Sequence, residues 1–107
     1  MVTVVWQEKA VDDLEAILRY GEGIFGRRVT ERLRAEILRS ARLLETNPRL
    51  GICLIKAVPG YPEIRQLLAT SLFALIYFVD EERDKLHIVT IRDMRRNPSD
   101  FYDELGR

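Results

Sequence analysis

Apolar positions change period twice along the chain, and the changes mark its elements. Val2 to Trp6 (VTVVW) is β-branched and aromatic, which predicts a short strand. From Gln7 to Phe25 the period becomes helical: Ala10, Leu14, Ile17, Leu18, Gly21 and Ile24 share one stripe. Glu8, Asp12, Asp13 and Glu15 lie near the N-terminal end, where acids suit the helix dipole. Gly26 breaks the pattern, and a second helix is predicted from Arg27 to Thr46 on the stripe Val29, Leu33, Ile37, Ala41 and Leu44. Asn47-Pro48 ends it, because proline pushes the residue before it out of helical geometry. A one-residue break between amphipathic helices predicts an antiparallel hairpin whose apolar faces need a cover.

The second half supplies that cover. After a loop containing Gly51, Pro59-Gly60 and Pro62, Glu63 to Ala69 reads as a strand. Leu72 to Val79 is apolar on both faces, which places it centrally in a sheet. Asp80 to Lys85 is a polar hairpin connection, and Leu86 to Arg92 is the last strand. The expected fold class is α+β: a single domain over residues 1–107, ordered β-α-α-β-β-β, with a helical hairpin packed on a small, mainly antiparallel sheet.

Composition narrows the function classes. The chain is 47% hydrophobic and 32% charged, as a folded domain is and a disordered tail is not. No apolar run reaches membrane-spanning length, and no basic-then-apolar leader opens the chain, so no membrane partner and a cytoplasmic location are expected. Cys53 is alone, which rules out an intrachain disulfide; it reads as a small buried hydrophobe or a spectator thiol rather than a nucleophile. Net charge is zero, which counts against bulk phosphate binding. The charges are nevertheless uneven: acids dominate Glu8 to Glu22, and seven arginines lie between Arg27 and Arg49. Fourteen of the seventeen basic residues are arginine, a choice that anion contacts, protein contacts or a high genomic G+C content would each favour.

Candidate chemistry concentrates where the last strand runs into Arg92, Arg95 and Arg96. Guanidinium stays protonated and forks onto phosphate or carboxylate, so this sheet edge is suited to an anion. If Arg65 and Arg92 point away from the helices, they converge with Arg95, Arg96 and Lys56, and Tyr77 and Tyr102 line the same hollow. The opposing reading pairs these arginines with Glu63, Asp93, Asp100 or Glu104 as surface ion pairs, each worth roughly 0–1 kcal/mol. His87 has no histidine, serine or cysteine partner in view and reads as a solvated strand residue. Asp12-Asp13 reads as helix N-terminal charge, the DEERD tip as a solvated hairpin, and Trp6 as core. No phosphate loop or metal-ligand spacing appears, so neither cofactor nor metal is expected.

The order of several segments also carries a likeness. The opening strand ending VVW, the helical hairpin, NPRLG, EIRQLL, FALIYFVDEERDKLHIVTI, RDMRRNP and the terminal SDFYDEL together resemble the RelE/ParE superfamily of toxins from bacterial type II toxin–antitoxin modules. The resemblance covers nearly the whole chain. It implies a growth-inhibiting toxin, an association with plasmid stabilisation, and a homo- or hetero-oligomer with a cognate antitoxin that blocks the working face. Two activities are implied by the superfamily. RelE-like members cleave messenger RNA in the ribosome, and on that branch Arg65, Arg96 and Tyr102 match the catalytic positions. ParE-like members inhibit DNA gyrase by protein–protein binding. On that branch the two-helix arm and the C-terminal region are the expected gyrase contacts. The partner-binding groove of Arg65, Tyr77, Arg92, Arg95 and Arg96 is expected to receive an acidic antitoxin segment. The third strand of the superfamily reads Tyr-Arg-x-x-Tyr; here Phe73-Ala74-Leu75-Ile76-Tyr77 has alanine in the arginine position. Pro62, Glu63 and Gln66 occupy the region where the nuclease branch carries lysines. The ParE-like reading leads, the ribosome-dependent endoribonuclease is the alternative, and a non-toxic binding module is a third.

Overall fold

The structure, a computed structural model, describes residues 1–96. In chain order it contains β1 (Thr3–Trp6), α1 (Glu8–Phe25), α2 (Arg27–Leu43), β2 (Ile52–Ile55), β3 (Ile64–Leu68), β4 (Phe73–Asp80) and β5 (Lys85–Asp93). The strands form one sheet in the order β1-β5-β4-β3-β2. Neighbours are antiparallel except β1, which lies parallel to β5 with Thr3 opposite Lys85 and Trp6 opposite Ile88. The expected α+β architecture is present, and β4 is central as its apolar composition requires. β2 is an addition: its four residues, ICLI, fall in the segment the sequence leaves as loop.

Both helices cover one side of the sheet. Ala10, Ile37, Ala41 and Leu44 pack with Phe73, Leu75, Tyr77, Leu86, Ile88 and Ile91, and Trp6 and Leu33 border this core. Ile88 and Ile91 are three apart, yet both belong to the core. A β-bulge makes this possible: Tyr77 pairs with Ile88 while Ile76 pairs with Thr90, so one residue of β5 is skipped. Beyond the bulge the alternation is reversed, and Arg92 leaves the helix side of the sheet.

The hairpin extends past the sheet at its turn. Gly26 adopts φ +83°, a conformation costly for any residue with a Cβ, and starts α2 immediately after α1. Two residues expected in the apolar stripes, Ile24 and Val29, lie beyond the core and are exposed, with Tyr20 and Phe25 beside them. Thr30 is buried instead, its hydroxyl donating to the Gly26 carbonyl at 2.8 Å.

Asp13 does more than decorate a helix start. β1 ends at Trp6, so on the edge away from β4 the backbone of β5 beyond Ile88 has no strand beside it. The Asp13 carboxylate takes that place: it accepts from the Ile91 N–H at 3.1 Å and from the Thr90 hydroxyl, while Lys9 pairs with it at 3.1 Å. Asp13→Ala strands a strand amide and a nearly buried hydroxyl. The expected cost is about 2–3 kcal/mol in a urea titration with unchanged slope, whereas Asp12→Ala, on the exposed side, changes stability by less than about 0.5 kcal/mol.

Candidate functional site

The register fixes where each candidate arginine goes. Arg65 is opposite Tyr77, whose ring is in the core, so Arg65 lies on the helix side of the sheet. Arg92 is opposite Ala74, on the other side, and donates across β4 to Gln66 Oε1 at 3.0 Å. The small Ala74 side chain leaves the room over which that guanidinium crosses. Arg65 is also several residue pairs away from Arg92 along the sheet. The expected convergence of Arg65 and Arg92 therefore does not occur: they occupy opposite faces and different ends.

Arg65 is a structural clamp. Its guanidinium donates to the carbonyls of Gly51 (2.6 Å) and Arg49 (3.1 Å), tying β3 to the segment that leads out of α2. Its Nε also makes an ion pair with Glu63, with 16% of the arginine side chain exposed. Tyr77 cannot line an open hollow, because it is fully buried. Its hydroxyl accepts from the Gly51 N–H at 2.9 Å, and burial raises the phenol pKa, against which the Gly51 hydrogen bond and nearby Arg65 act.

Two hollows on the described surface bear on the candidate residues. The first, of about 660 Å³, lies where β3 begins and β4 ends, lined by Arg49, Glu63, Arg65, Asp80, Glu81 and Glu82 among others. Its acids outnumber its arginines, and Arg49 is paired with Glu81, so it does not suit a phosphate. The second, of about 620 Å³, runs between the distal half of α1 and the far end of the sheet. Its walls are largely apolar, from Ile17, Tyr20, Phe25, Leu33, Leu72 and Phe73, and its rim carries Asp93, Arg95 and Arg96.

Arg95 and Arg96 thus reach a groove, though not one shared with Arg65. Arg95 forks onto Asp93 at 2.9 and 3.0 Å and lies 5.8 Å from the centre of the Phe73 ring. Those hydrogen bonds hold the Asp93 carboxyl below the usual carboxylate range. Tyr102, Asp100 and Glu104 lie outside the described residues. Cys53 is exposed on the edge strand β2, which overturns the buried alternative but not that of a spectator thiol, and Lys56 is exposed just beyond it. His87 is half-buried and stacks on Phe78, with ring centroids 4.9 Å apart. Among the described residues no group of His, Cys, Asp and Glu could hold a metal ion. Sequence reasoning names the two-helix arm as a contact but not the apolar groove or the exposed apolar residues at the tip of that arm. The signal was present: Tyr20, Ile24, Phe25 and Val29 surround Gly26, too many apolar residues for a solvated turn.

A helical hairpin on one side of a five-stranded sheet, with an apolar groove rimmed by arginine, defines a small α+β domain. The family described as "ParE toxin of type II toxin-antitoxin system, parDE" matches residues 4–98, and the chain belongs to this family. Among solved structures it is similar to a chain of the chromosomal ParDE toxin–antitoxin system from Pseudomonas aeruginosa, at TM-score 0.69 and 23% identity, covering 87% of this chain and 96% of that one. A chain of the archaeal RelE–RelB complex from Pyrococcus horikoshii aligns at TM-score 0.66 and 15% identity, covering 90% and 98%. A chain of the RelBE2 toxin–antitoxin complex from Mycobacterium tuberculosis aligns at 0.58 and 19%, covering 86% and 96%. At these identities the likeness is one of fold. The comparison with curated proteins returned no match. Among the described residues no helix is long and apolar enough to cross a membrane.

Proposed function

We propose that this toxin acts as a ParE-like inhibitor of DNA gyrase through protein–protein contact, and that a cognate antitoxin neutralises it. One observation carries the choice of branch. Metal-free phosphoryl transfer needs several fixed cations around one phosphate, and loss of a single such donor can cost roughly 10²–10³-fold in rate. Here Arg65 is committed to two backbone carbonyls and Glu63, Arg92 is on the opposite face, and Ala74 carries no charge. That distribution supports binding rather than chemistry.

The apolar groove is the proposed antitoxin seat. An amphipathic segment laying apolar residues on Ile17, Tyr20 and Phe73, with acids toward Arg95 and Arg96, would match its walls and rim. The exposed tip at Tyr20, Ile24, Phe25 and Val29 is the proposed gyrase contact. The two surfaces share Tyr20 and Phe25, which gives neutralisation a direct steric basis.

Expression without antitoxin should arrest growth and induce the DNA-damage response, and purified toxin should make gyrase linearise plasmid. Phe25→Asp should abolish both while leaving the fold intact. Codon-periodic messenger cuts that vanish in Arg96→Ala would instead establish the ribonuclease. Growth unaffected by high expression would establish the non-toxic module.

A further inference from the structure

The seven arginines between Arg27 and Arg49 are not scattered. In α2, Ile37, Ala41 and Leu44 face the core, and the side diametrically opposite carries Arg28, Arg32, Ala35, Arg39 and Arg42. These positions are spaced four, three, four and three residues apart, so they form one straight ladder along the helix. It is about 21 Å long at the ordinary helical rise. All five residues are exposed. The acids of α2, Glu31 and Glu36, stand on the flanks of the ladder, and none of its arginines makes an ion pair among the described residues.

We propose that this ladder is a sequence-independent docking surface for the phosphate backbone of duplex DNA, distinct from the antitoxin groove and the hairpin tip. Four exposed guanidinium groups in a row complement a polyanion, and binding gains from the counterions they release. The stripe contains no aromatic side chain, so it lacks the stacking platform that single strands require. A convex helix with alanine at mid-ladder fits the wide major groove of B-form DNA, whereas the major groove of duplex RNA is too narrow to admit one.

The adjacent helix presents a contrary stripe, Glu8, Asp12, Glu15, Arg19 and Glu22, at the same spacing. Packed helices lie about 8–10 Å apart, roughly one screening length at physiological salt, so these acids weaken the attraction without cancelling it. A second copy could in principle match the two stripes crosswise. Exposed ion pairs contribute too little to offset the freedom lost on association, so DNA is the stronger occupant.

The test is fluorescence anisotropy of a random-sequence DNA duplex titrated with the full-length protein at several salt concentrations. Four phosphate contacts predict a slope of about −3.6 for log affinity against log salt, hence an affinity loss of about 10²-fold from roughly 50 to 200 mM. Arg32→Ala/Arg39→Ala should bring the slope to about −1.8, with far-ultraviolet circular dichroism unchanged. Arg83→Ala, at the hairpin tip between β4 and β5, should bind like the parent. The proposal is overturned by no binding, by an unchanged slope in the double variant, or by tighter binding to single strands or duplex RNA. Equal displacement by polyglutamate would assign an acidic protein instead, and a salt-sensitive dimer in sedimentation would assign a second copy. None of these readings depends on growth arrest or on gyrase.

Discussion

Gly51→Ala is expected to lower the unfolding free energy by about 3 kcal/mol, the largest effect of a methyl added at any described glycine. A Cβ there would stand 2.6 Å from the Gln66 carbonyl oxygen and 2.8 Å from the Tyr77 hydroxyl. The first obstacle is strand backbone, which cannot swing aside as a flexible side chain can. Moving Gly51 away also breaks its hydrogen bond to Tyr77 and the one from Arg65. Tyr77→Phe separates these effects: it removes the acceptor of the Gly51 N–H but adds no bulk, and should cost about 1 kcal/mol at neutral pH. It also has a pH signature. Burial raises the phenol pKa of Tyr77, so its contribution is fully present below about pH 10 and declines above it, as the unfolded chain ionises first. Urea titrations at increasing alkaline pH should show that decline in the parent and a shallower one in Tyr77→Phe.

Arg65→Ala is expected to cost about 2–4 kcal/mol, because two carbonyls lose a charged donor and Glu63 loses its cation. Toxicity should fall with the folded population and return when growth temperature is lowered. Arg65→Lys should recover only part of the loss, since an ammonium cannot reach both carbonyls and Glu63 with the geometry of the guanidinium fork. Loss of toxicity at undiminished stability would contradict the clamp and return Arg65 to the functional surface.

These residues show where the sequence is readable. The helical hairpin, its break at Gly26 and the central position of β4 follow from apolar period and composition, and all are present. Of Arg65 and Arg92, Arg65 alone departs from its expected face, because a one-residue change of register sends a side chain to the opposite side of the sheet. Two local facts decide those faces. The β3–β4 pairing puts Arg65 opposite Tyr77, and the bulge after Ile88 reverses the alternation before Arg92. Neither has a sequence mark: the turn at 69–72 lacks a tight Asn-Gly or Asp-Gly signal, and Val89 is an ordinary strand residue. β2 was missed for a related reason, since four apolar residues ahead of a loop rich in proline and glycine do not announce a pairing partner. The side of α2 away from the core needed no register at all, because helical spacing alone aligns its arginines.

The parallel pairing of β1 with β5 carries a consequence for the birth of the protein. Thr3 and Lys85 are neighbours in the sheet although about eighty positions separate them. During synthesis β1 must wait, unpaired, until β5 has left the ribosomal tunnel. Both helices emerge long before the surface they cover, so a nascent chain interrupted midway has neither a closed sheet nor a finished groove. Termination before β5 should therefore yield harmless fragments, because the poison needs that strand to complete its sheet.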